Sequence, residues 1–459
     1  MTFFKFIPKK VLLLFLGDVL IIECAYLLAL SLRTGHLSFR LTDHYYPEAA
    51  LLLTYLLIFY IAEFYDMDSG FANARYFFNH LTGMIFGSLI MMLVFFFIPL
   101  TKYGRSVFLA SSVIIGFATL LWRLLFAWWL ARNPIRKKRV LIVGAGKAGR
   151  MLYDVVLTNP RFEAMGFMVD DDPLKWGSAH LPRVMGGCAA LGGLVARHGV
   201  DVLVLAMSRF IEPQLLKAAL DCKLDGVQVY DMPSFYEVLA GKVPVEHVTD
   251  FWLVFTPLMG VKKSIYNKKL KRITDVVMSF CGLLATLPLS LLIALAVKLD
   301  SPGTVLYRQP RIGLNGKPFM LFKFRSMTTG TDHDRQFAGE RDDPRITPVG
   351  RFIRRIRLDE IPQMWNVLAG DMSFIGPRAL IRGEVRKFTS MIPYFSLRHS
   401  VRPGITGWAQ VNYKHGALVE DGLEKLQYDL FYIKNLSPLL DFHILMRTIK
   451  VVLSGKGAR

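Results

Sequence analysis

Four long apolar stretches stand in the first third of the chain, at about 11–31, 48–65, 81–100 and 106–130. Each is close to the roughly 20 residues that a helix needs to cross a bilayer core. Basic residues precede the first stretch and follow the fourth, at 132–139. Cationic flanks mark the cytoplasmic side, and an even number of crossings returns the chain there. The pattern predicts a retained four-helix transmembrane region over 1–135, with the later residues beginning in the cytoplasm.

Charged residues interrupt these stretches, among them Asp18 in the first and Arg123 in the fourth. At about 1.5 Å per residue, both lie roughly 10–14 Å deep from the same face. An unpaired charge at that depth costs about 2.5–3.5 kcal/mol, so a partner is expected. We predict that the two side chains pair across neighbouring helices, with Glu23 as the alternative partner. Separate snorkelling of each side chain is the other interpretation.

Between about 139 and 250 the pattern changes to short β-branched runs separated by helical stretches, which is typical of a doubly wound parallel sheet. The first run leads into Gly144, Gly146 and Gly149. Such glycines permit a tight turn, close approach to a pyrophosphate, and close packing of helix on strand. Asp170–Asp172 follow at about the distance expected of a ribose partner. We therefore predict a Rossmann-like domain over 136–255.

The three glycines do not by themselves establish a nucleotide site. Sugar-nucleotide oxidoreductases of this fold usually carry a Tyr-x-x-x-Lys pair, and the sequence has none between 139 and 250. A sheet kept for regulation or assembly is therefore at least as well supported as a bound nucleotide.

A fifth apolar run, from about Val276 to Val297, is long enough to span a membrane but contains Pro288. Basic residues flank both of its ends, which argues against a full crossing. A proline removes one helix hydrogen bond and bends the axis. We predict a re-entrant hairpin that enters the membrane from the cytoplasm and returns to it. An ordinary spanning helix is the alternative.

The composition limits the classes of partner that fit this chain. The chain has 459 residues, 53% of them hydrophobic, and a net charge of +20. A basic balance suits nucleic acid, an anionic membrane face or phosphorylated substrates. The apolar stretches favour a lipid bilayer and phosphorylated substrates, so no nucleic-acid partner is predicted. The four cysteines form no CxxC pair, so no disulfide framework or zinc site is predicted.

Two adjacent carboxylates, Asp359 and Glu360, stand among the arginines 351, 354, 355 and 357. Nearby cations keep a carboxylate ionised and able to act as a nucleophile. Carboxylates can also hold Mg²⁺, which neutralises diphosphate charge. The alternative is that Asp359 caps a helix that Pro362 helps to start, with Glu360 in its first turn. On the residues alone, capping is the more frequent role.

Four basic segments with turn-forming residues surround this pair, at 307–313, 322–327, 375–378 and 402–408. Guanidinium groups on rigid turns bind phosphate in a bidentate manner. Solvated surface arginines are the alternative. The candidate phosphate ligands in these segments are Lys323, Arg325, Arg378 and Arg402.

Together these motifs closely resemble those of the bacterial sugar transferases known as monotopic polyprenyl-phosphate phosphoglycosyl transferases, in their long form. The resemblance covers about 265–455, and the two preceding regions fit the long-form architecture. It implies a mainly helical catalytic domain at 256–459, with a re-entrant helix bent at a proline that fits 273–299. One departure is Ala379, where a second proline usually follows Gly-Pro-Arg, so a slightly looser turn is expected. The matching motifs are Lys-Phe-Arg-Ser-Met at 323–327, Leu-Asp-Glu-Ile-Pro-Gln at 358–363, Gly-Asp-Met-Ser-Phe-Ile-Gly-Pro-Arg at 370–378, Arg-Pro-Gly-Ile-Thr-Gly at 402–407 and Tyr-Asp-Leu-Phe-Tyr-Ile at 428–433.

The resemblance implies a multi-pass enzyme of the bacterial inner membrane with a cytoplasmic catalytic domain. Asp359 would attack a UDP-sugar and release UMP, and undecaprenyl phosphate would then accept the sugar phosphate. This is the first membrane step of exopolysaccharide synthesis, with glucose or galactose as the default sugar and an N-acetylated sugar as the alternative. Glu360 would hold Mg²⁺, together with Asp359, or assist proton movement. Asp429 would support the metal or the nucleotide, and the basic residues of the motifs would bind phosphates.

Two other functions are weighed against this one. A nicotinamide-dependent sugar-nucleotide dehydratase would use the glycines of the sheet domain, but it needs the missing Tyr-x-x-x-Lys pair. A non-enzymatic factor for polysaccharide assembly would have no need of an intact acidic pair. The sequence leaves the sugar undecided and allows a homodimer.

Overall fold

The computed structural model describes residues 9–35, 45–62, 64–65, 74–97, 104–132, 136–169, 184–187, 190–207, 213–261, 266–328, 345–413 and 419–453. The chain divides into two compact units, Met1–Arg136 and Lys137–Arg459. The acidic run Asp170–Asp172, expected to face a ribose, lies outside the described residues. The domain boundaries proposed from the sequence, at 135/136 and 255/256, stay predictions.

The described part of the first unit consists of apolar helices that coincide with the four predicted stretches. Three of them are long and apolar enough to cross a membrane, and the second is a shorter apolar helix. Leu14, Leu51 and Phe59 pack in their shared core, whereas many leucines and phenylalanines on the outer faces are exposed. The helices are α1 (Lys9–Thr34), α2 (Tyr45–Ile61), α3 (Ala74–Phe97) and α4 (Arg105–Arg132).

Asp18 and Arg123 form a buried ion pair between α1 and α4. The two terminal nitrogens of Arg123 lie 2.5 and 2.7 Å from the two carboxylate oxygens of Asp18, and both side chains are fully buried. Arg123 Nε donates to the hydroxyl of Tyr76 on α3 at 2.9 Å. The predicted pairing is confirmed, and the alternative partner Glu23 lies beside Glu48 of α2 instead.

The second unit begins with the predicted parallel sheet, which has five strands in the order β3-β2-β1-β4-β5 among the described residues. Val140 and Ile142 of β1 pack on one face, and Leu141 and Val143 pack on the other. Both faces are therefore covered, as in a doubly wound fold. The elements are β1 (Lys138–Val143), α5 (Lys147–Thr158), β2 (Phe162–Val169), β3 (Val184–Gly187), α6 (Leu191–His198), β4 (Val202–Leu205), α7 (Pro213–Leu224), β5 (Gln228–Asp231) and α8 (Met232–Ala240).

The rest of the second unit is mainly helical, as predicted, but two of the basic segments expected as turns form an antiparallel hairpin. Asn315 and Gly316 turn the hairpin with φ of 54° and 76°, and this Asn-Gly dipeptide is a common hairpin-turn signal that identifies the turn in the sequence. The elements are α9 (Asp250–Phe255), α10 (Lys271–Asp300), β6 (Leu306–Ile312), β7 (Pro318–Phe324), α11 (Pro348–Arg355), α12 (Gln363–Ala369), β8 (Ser373–Ile375), α13 (Arg382–Met391), β9 (Gly404–Thr406), α14 (Trp408–Asn412), α15 (Val419–Asn435) and α16 (Pro438–Leu453).

The apolar helix α10 continues through Pro288 and is held near both of its ends. Near its start, Arg272 donates to the carbonyls of Val367 and Leu368 at 2.5 and 2.7 Å. Near its end, Arg325 donates to the carbonyl of Val297 at 3.1 Å. Most leucines between these contacts are exposed. Both ends of α10 therefore pack on the same polar body.

The segment after the sheet joins the core of the helical region. Val243 and Val245 are buried in a cluster with Trp408 of α14 and Leu426 of α15. Charge pairs connect the same parts, since Glu237 of α8 lies 2.8 Å from Lys434 of α15. The segment after the sheet therefore packs into the core of the helical region, and a charge pair joins α8 to α15.

The buried pair of α1 and α4 predicts a non-additive mutational effect. Asp18→Asn and Arg123→Gln should each destabilise the fold by about 3–5 kcal/mol, because each leaves an uncompensated buried charge. Each should therefore lower the yield of folded protein in detergent. The double variant should do little further harm, since it removes both charges. Folded yield measured by size-exclusion chromatography checks this. Losses that add up in the double variant would mean that the two residues do not stabilise the bundle as a pair.

Candidate active site

Asp359 and Glu360 lie on one 3₁₀ turn, Leu358–Glu360, between α11 and α12. Arg357 precedes them with φ of 59°, an uncommon conformation for a residue with a side chain, which turns the chain sharply. The N-cap residue of α12 is Pro362 rather than Asp359, and no side-chain cap hydrogen bond is present there among the described residues. Asp359 therefore does not cap α12, and the helix-capping interpretation of this residue is wrong.

Three cations from separate segments surround Glu360. Lys323 of β7 places Nζ 2.9 Å from Oε1 of Glu360 and 3.6 Å from Oδ2 of Asp359. Arg357 lies 3.7 Å from Oε2 of Glu360, and Arg378, just after β8, lies 3.7 Å from Oε1. The fold therefore brings three of the sequence motifs to one point.

The surroundings separate the two carboxyl groups electrostatically. Burial raises the pKa of Glu360, but Lys323, Arg378 and Arg357 outweigh it and lower the pKa to about 2. Burial also raises the pKa of Asp359, Glu360 adds to that effect, and the opposing cations leave the pKa above its ordinary value. Neighbouring acids with pKa values pushed apart are suited to different roles. Glu360 is the fixed anion, and Asp359 is the more basic group.

Close glycine packing holds the loop that carries Arg378. A Cβ on Gly376 would lie 2.3 Å from the carbonyl oxygen of Arg402, and a Cβ on Gly404 would lie 2.1 Å from the nitrogen of Gly376. These distances are far below contact, so only glycine allows β8 and β9 to pair here. The Gly-Pro-Arg and Arg-Pro-Gly motifs are thus two sides of one backbone contact.

Arg378 is also positioned from behind by a buried ion pair. Arg398 donates to the carbonyl of Arg378 at 3.0 Å and lies 2.9 Å from Oδ2 of Asp429 on α15. Asp429 is 1% exposed, and burial raises its pKa to about 6 although Arg398 and Lys425 lower it. The carboxylate faces an arginine rather than an open metal or nucleotide site, so its geometry favours a positioning role.

Two of the four candidate phosphate ligands face backbone rather than the acidic pair. Arg325 is buried and donates to the carbonyls of Ser301 and Pro302 at 2.6 and 3.0 Å, which closes the C-terminal end of α10. Arg402 donates to the carbonyl of Gly370 at 3.0 Å. Both roles differ from phosphate binding. Lys323 and Arg378 are the two that reach the carboxylates.

Other residues that build the site carry no motif signal. Asn366 of α12 is fully buried and bonds to one edge of β7, donating to Met320 O at 2.6 Å and accepting from Phe322 N at 3.1 Å. This fixes the strand that presents Lys323. Asp275 of α10 accepts from the nitrogen of Phe374 at 3.0 Å and so anchors β8. In the sequence, the only indication of this role is that Asp275 is a polar residue in an otherwise apolar helix.

The acidic pair also fits the coordination chemistry of Mg²⁺. Within the described residues, no group of three or more His, Cys, Asp or Glu side chains is gathered for a metal. Mg²⁺ commonly needs only one or two protein carboxylates, together with waters and substrate phosphates. Asp359 and Glu360 supply that donor set, and a bound cation would offset both the burial and the repulsion from Glu360 that raise the pKa of Asp359.

The glycines of the sheet domain are explained by packing. Gly144 has φ of +105°, and a Cβ on Gly149 would lie 2.0 Å from the carbonyl oxygen of Gly144. Gly146 begins α5. The turn and the close helix–strand contact predicted for Gly144 and Gly149 are therefore present, whether or not a nucleotide binds.

Comparison with known proteins agrees with this geometry. Residues 266–455 match the bacterial sugar transferase family, and residues 60–233 match a CoA-binding domain. The UDP-glucose:undecaprenyl-phosphate glucose-1-phosphate transferase of Escherichia coli K12 is 34% identical over 333 residues, which cover 70% of this chain and 69% of the relative. The chain belongs to the bacterial sugar transferase family.

Other members of the family align over shorter segments. The UDP-N-acetylgalactosamine-undecaprenyl-phosphate N-acetylgalactosaminephosphotransferase of Aeromonas hydrophila is 40% identical over 239 residues, 52% of this chain. The undecaprenyl-phosphate glucose phosphotransferase of Komagataeibacter xylinus is 42% identical over 244 residues, 51% of this chain. The aligned part spans about half of these two relatives, at 55% and 46% of their lengths. The sugar transferase match at 266–455 contains the acidic pair and its cations.

The buried ion pair of Arg398 and Asp429 in this sugar transferase predicts opposite effects of pH on activity and on stability. As pH falls through about 6, Asp429 takes a proton, Arg398 loses its anionic partner, and turnover should fall. The fold should be stabilised over the same range, because a raised pKa means that the folded state binds the proton more tightly than the unfolded state. Turnover and thermal unfolding measured from pH 5 to 8 check both signs.

Asp429→Asn is the matched variant for this experiment. It keeps the size of the side chain but cannot titrate, so the activity limb near pH 6 should disappear while overall activity is lower. A limb near pH 6 that persists unchanged in the variant would assign the titration to another group.

Proposed function

We propose that this chain transfers a sugar 1-phosphate from a UDP-sugar to undecaprenyl phosphate and releases UMP. The names of the E. coli and A. hydrophila relatives describe this chemistry with glucose and N-acetylgalactosamine. The observation that carries the proposal is the buried Asp359 beside an anionic Glu360 that is already held by Lys323. The sugar is proposed to be glucose or galactose.

The first step is a displacement at the phosphorus that bears the sugar. An oxygen of Asp359 forms a bond to that phosphorus, and the bond to the bridging oxygen of UMP breaks, so that UMP leaves with the electron pair. Lys323 and Arg378 lie where they can offset the charge of the phosphates. Glu360 orients these cations, because it accepts from Lys323 at 2.9 Å.

The second step reverses the first with a different acceptor. A phosphate oxygen of undecaprenyl phosphate attacks the phosphoryl aspartate, and the carboxylate of Asp359 leaves. The product is an undecaprenyl diphosphate sugar, and the enzyme is regenerated. Mg²⁺ held by Asp359 and Glu360 would neutralise diphosphate charge in this site.

The membrane arrangement is part of the proposal. Helix α10 is long and apolar enough to cross a bilayer, yet Arg272 at its start and Val297 near its end both contact the polar body that carries the acidic pair. A straight crossing would place these ends on opposite sides of the membrane. The shared contacts support a re-entrant helix and a cytoplasmic active site at the lipid headgroups of the inner membrane.

The sheet domain is proposed to serve regulation or assembly. Its glycines are explained by packing, and the lack of a Tyr-x-x-x-Lys pair between 139 and 250 disfavours the dehydratase alternative. A bound nucleotide and a homodimer are both compatible with the fold of this domain.

Replacement of the nucleophile should abolish the reaction. Asp359→Asn keeps the shape but removes the attacking oxygen, so turnover with undecaprenyl phosphate should fall by several orders of magnitude, about 10⁴-fold or more. Exchange of labelled UMP into UDP-sugar, which needs only the first step, should fall in parallel. The control Asp225→Asn changes an exposed acid of the sheet domain, outside every motif of the site, and should stay near wild type. An Asn variant with full turnover would exclude the covalent route.

Labelling should locate both ends of α10 on one side of the membrane. In a cysteine-free background, single cysteines at exposed Lys269 and Thr304 should both react with an impermeant maleimide only from the cytoplasmic side. The reason is that a re-entrant helix returns to the face it entered. Reaction of position 304 from the periplasm alone would establish a crossing.

A further inference from the structure

An apolar groove lies between the second half of α10 and α11. Leu292 and Ala296 line it from α10, Val349 and Phe352 line it from α11, and Leu358 is also part of the lining. Its volume is about 420 Å³, within the range of about 300–1,000 Å³ that is usual for small-molecule sites. The side chains that line it are all apolar, although Leu292 and Phe352 are 65% and 63% exposed. Such a groove suits a hydrocarbon chain.

The lining of the groove is adjacent to the acidic pair along the chain. Leu358 lines the groove, and Asp359 is the next residue. Consecutive Cα atoms are about 3.8 Å apart across a trans peptide bond. A hydrocarbon chain in the groove would therefore have its head group beside the nucleophile.

The wall formed by α11 has a basic side as well. Phe352 and Ile353 face the groove, whereas Arg351 and Arg355 are exposed and Arg354 is close enough to lower the pKa of Asp359. One short helix therefore presents apolar side chains to the groove and guanidinium groups to its polar edge. This complements an anionic head group on an apolar chain.

We propose that the groove binds the phosphate-proximal isoprene units of undecaprenyl phosphate, with the phosphate between Arg354 and Asp359. The proposal rests on the proposed function. A polyprenyl phosphate has a single chain bonded directly to its phosphate, so both parts must lie next to Asp359 when the acceptor attacks. A two-chain bilayer lipid separates its phosphate from its acyl chains by a glycerol unit and does not match a groove whose lining includes the residue before the nucleophile.

Full-length protein in phosphatidylcholine vesicles allows a direct kinetic test. Ala296→Trp should fill the groove and raise KM for undecaprenyl phosphate by about tenfold or more, as expected when a well-matched apolar contact is lost. Phe352→Ala removes a wall and should act in the same direction. The control Leu295→Trp alters an exposed leucine of α10 outside the groove and should leave KM unchanged. Normal KM in both groove variants would overturn the proposal.

UMP exchange into UDP-sugar, measured without acceptor, separates the two hypotheses. Exchange in a groove variant shows that it is folded and binds the donor, so a raised KM then reports the acceptor alone. Absence of exchange and transfer in the wild type would instead refute the proposed function.

A binding experiment tests the groove independently of turnover. A photoreactive polyprenyl phosphate should crosslink to peptides containing 289–296 or 348–358 in wild-type protein. Excess undecaprenyl phosphate should compete, and phosphatidylglycerol should not. Equal competition by phosphatidylglycerol would mean that the groove takes ordinary bilayer lipid, and crosslinking only elsewhere would contradict the assignment.

Discussion

Two adjacent carboxylates can stay buried and ionised only if cations reach them, and this requirement organises the catalytic part of the chain. Lys323 comes from β7 and Arg378 from the loop after β8, and both lie within 4 Å of Glu360. Each depends on further packing. Asn366 fixes the strand, and the glycine contact between Gly376 and Gly404 fixes the loop. The short segments around the site therefore function as a single polar assembly.

The same assembly is joined to the apolar helix α10. Asp275 accepts from the backbone at β8, and Arg325 closes the other end of the helix. The groove beside α11 continues this arrangement, because its apolar lining includes the residue before Asp359. Chemistry on a lipid-linked phosphate requires that polar and apolar sites meet. Here the apolar groove and the acidic pair are adjacent, since Leu358 lines the groove and Asp359 follows it.

The sheet domain contributes to the catalytic part through shared packing. Val243 and Val245 lie in the core of the helical region, and Glu237 of α8 pairs with Lys434 of α15. That helix also carries Asp429, which holds Arg398 behind Arg378. A structural change in the sheet domain can therefore be transmitted to the active site through α15. This connection provides a physical basis for a regulatory role.

The sequence by itself determined the apolar helices, the parallel sheet and the acidic pair, because periodicity and turn chemistry are local properties. It also determined the pairing of Asp18 with Arg123, since equal depth in a bilayer leaves a buried charge few partners. Only the tertiary structure decided that Arg325 binds carbonyls of α10 and that Asp429 faces Arg398. The partner of a long basic side chain depends on which distant backbone packs beside it, and no local pattern contains that information.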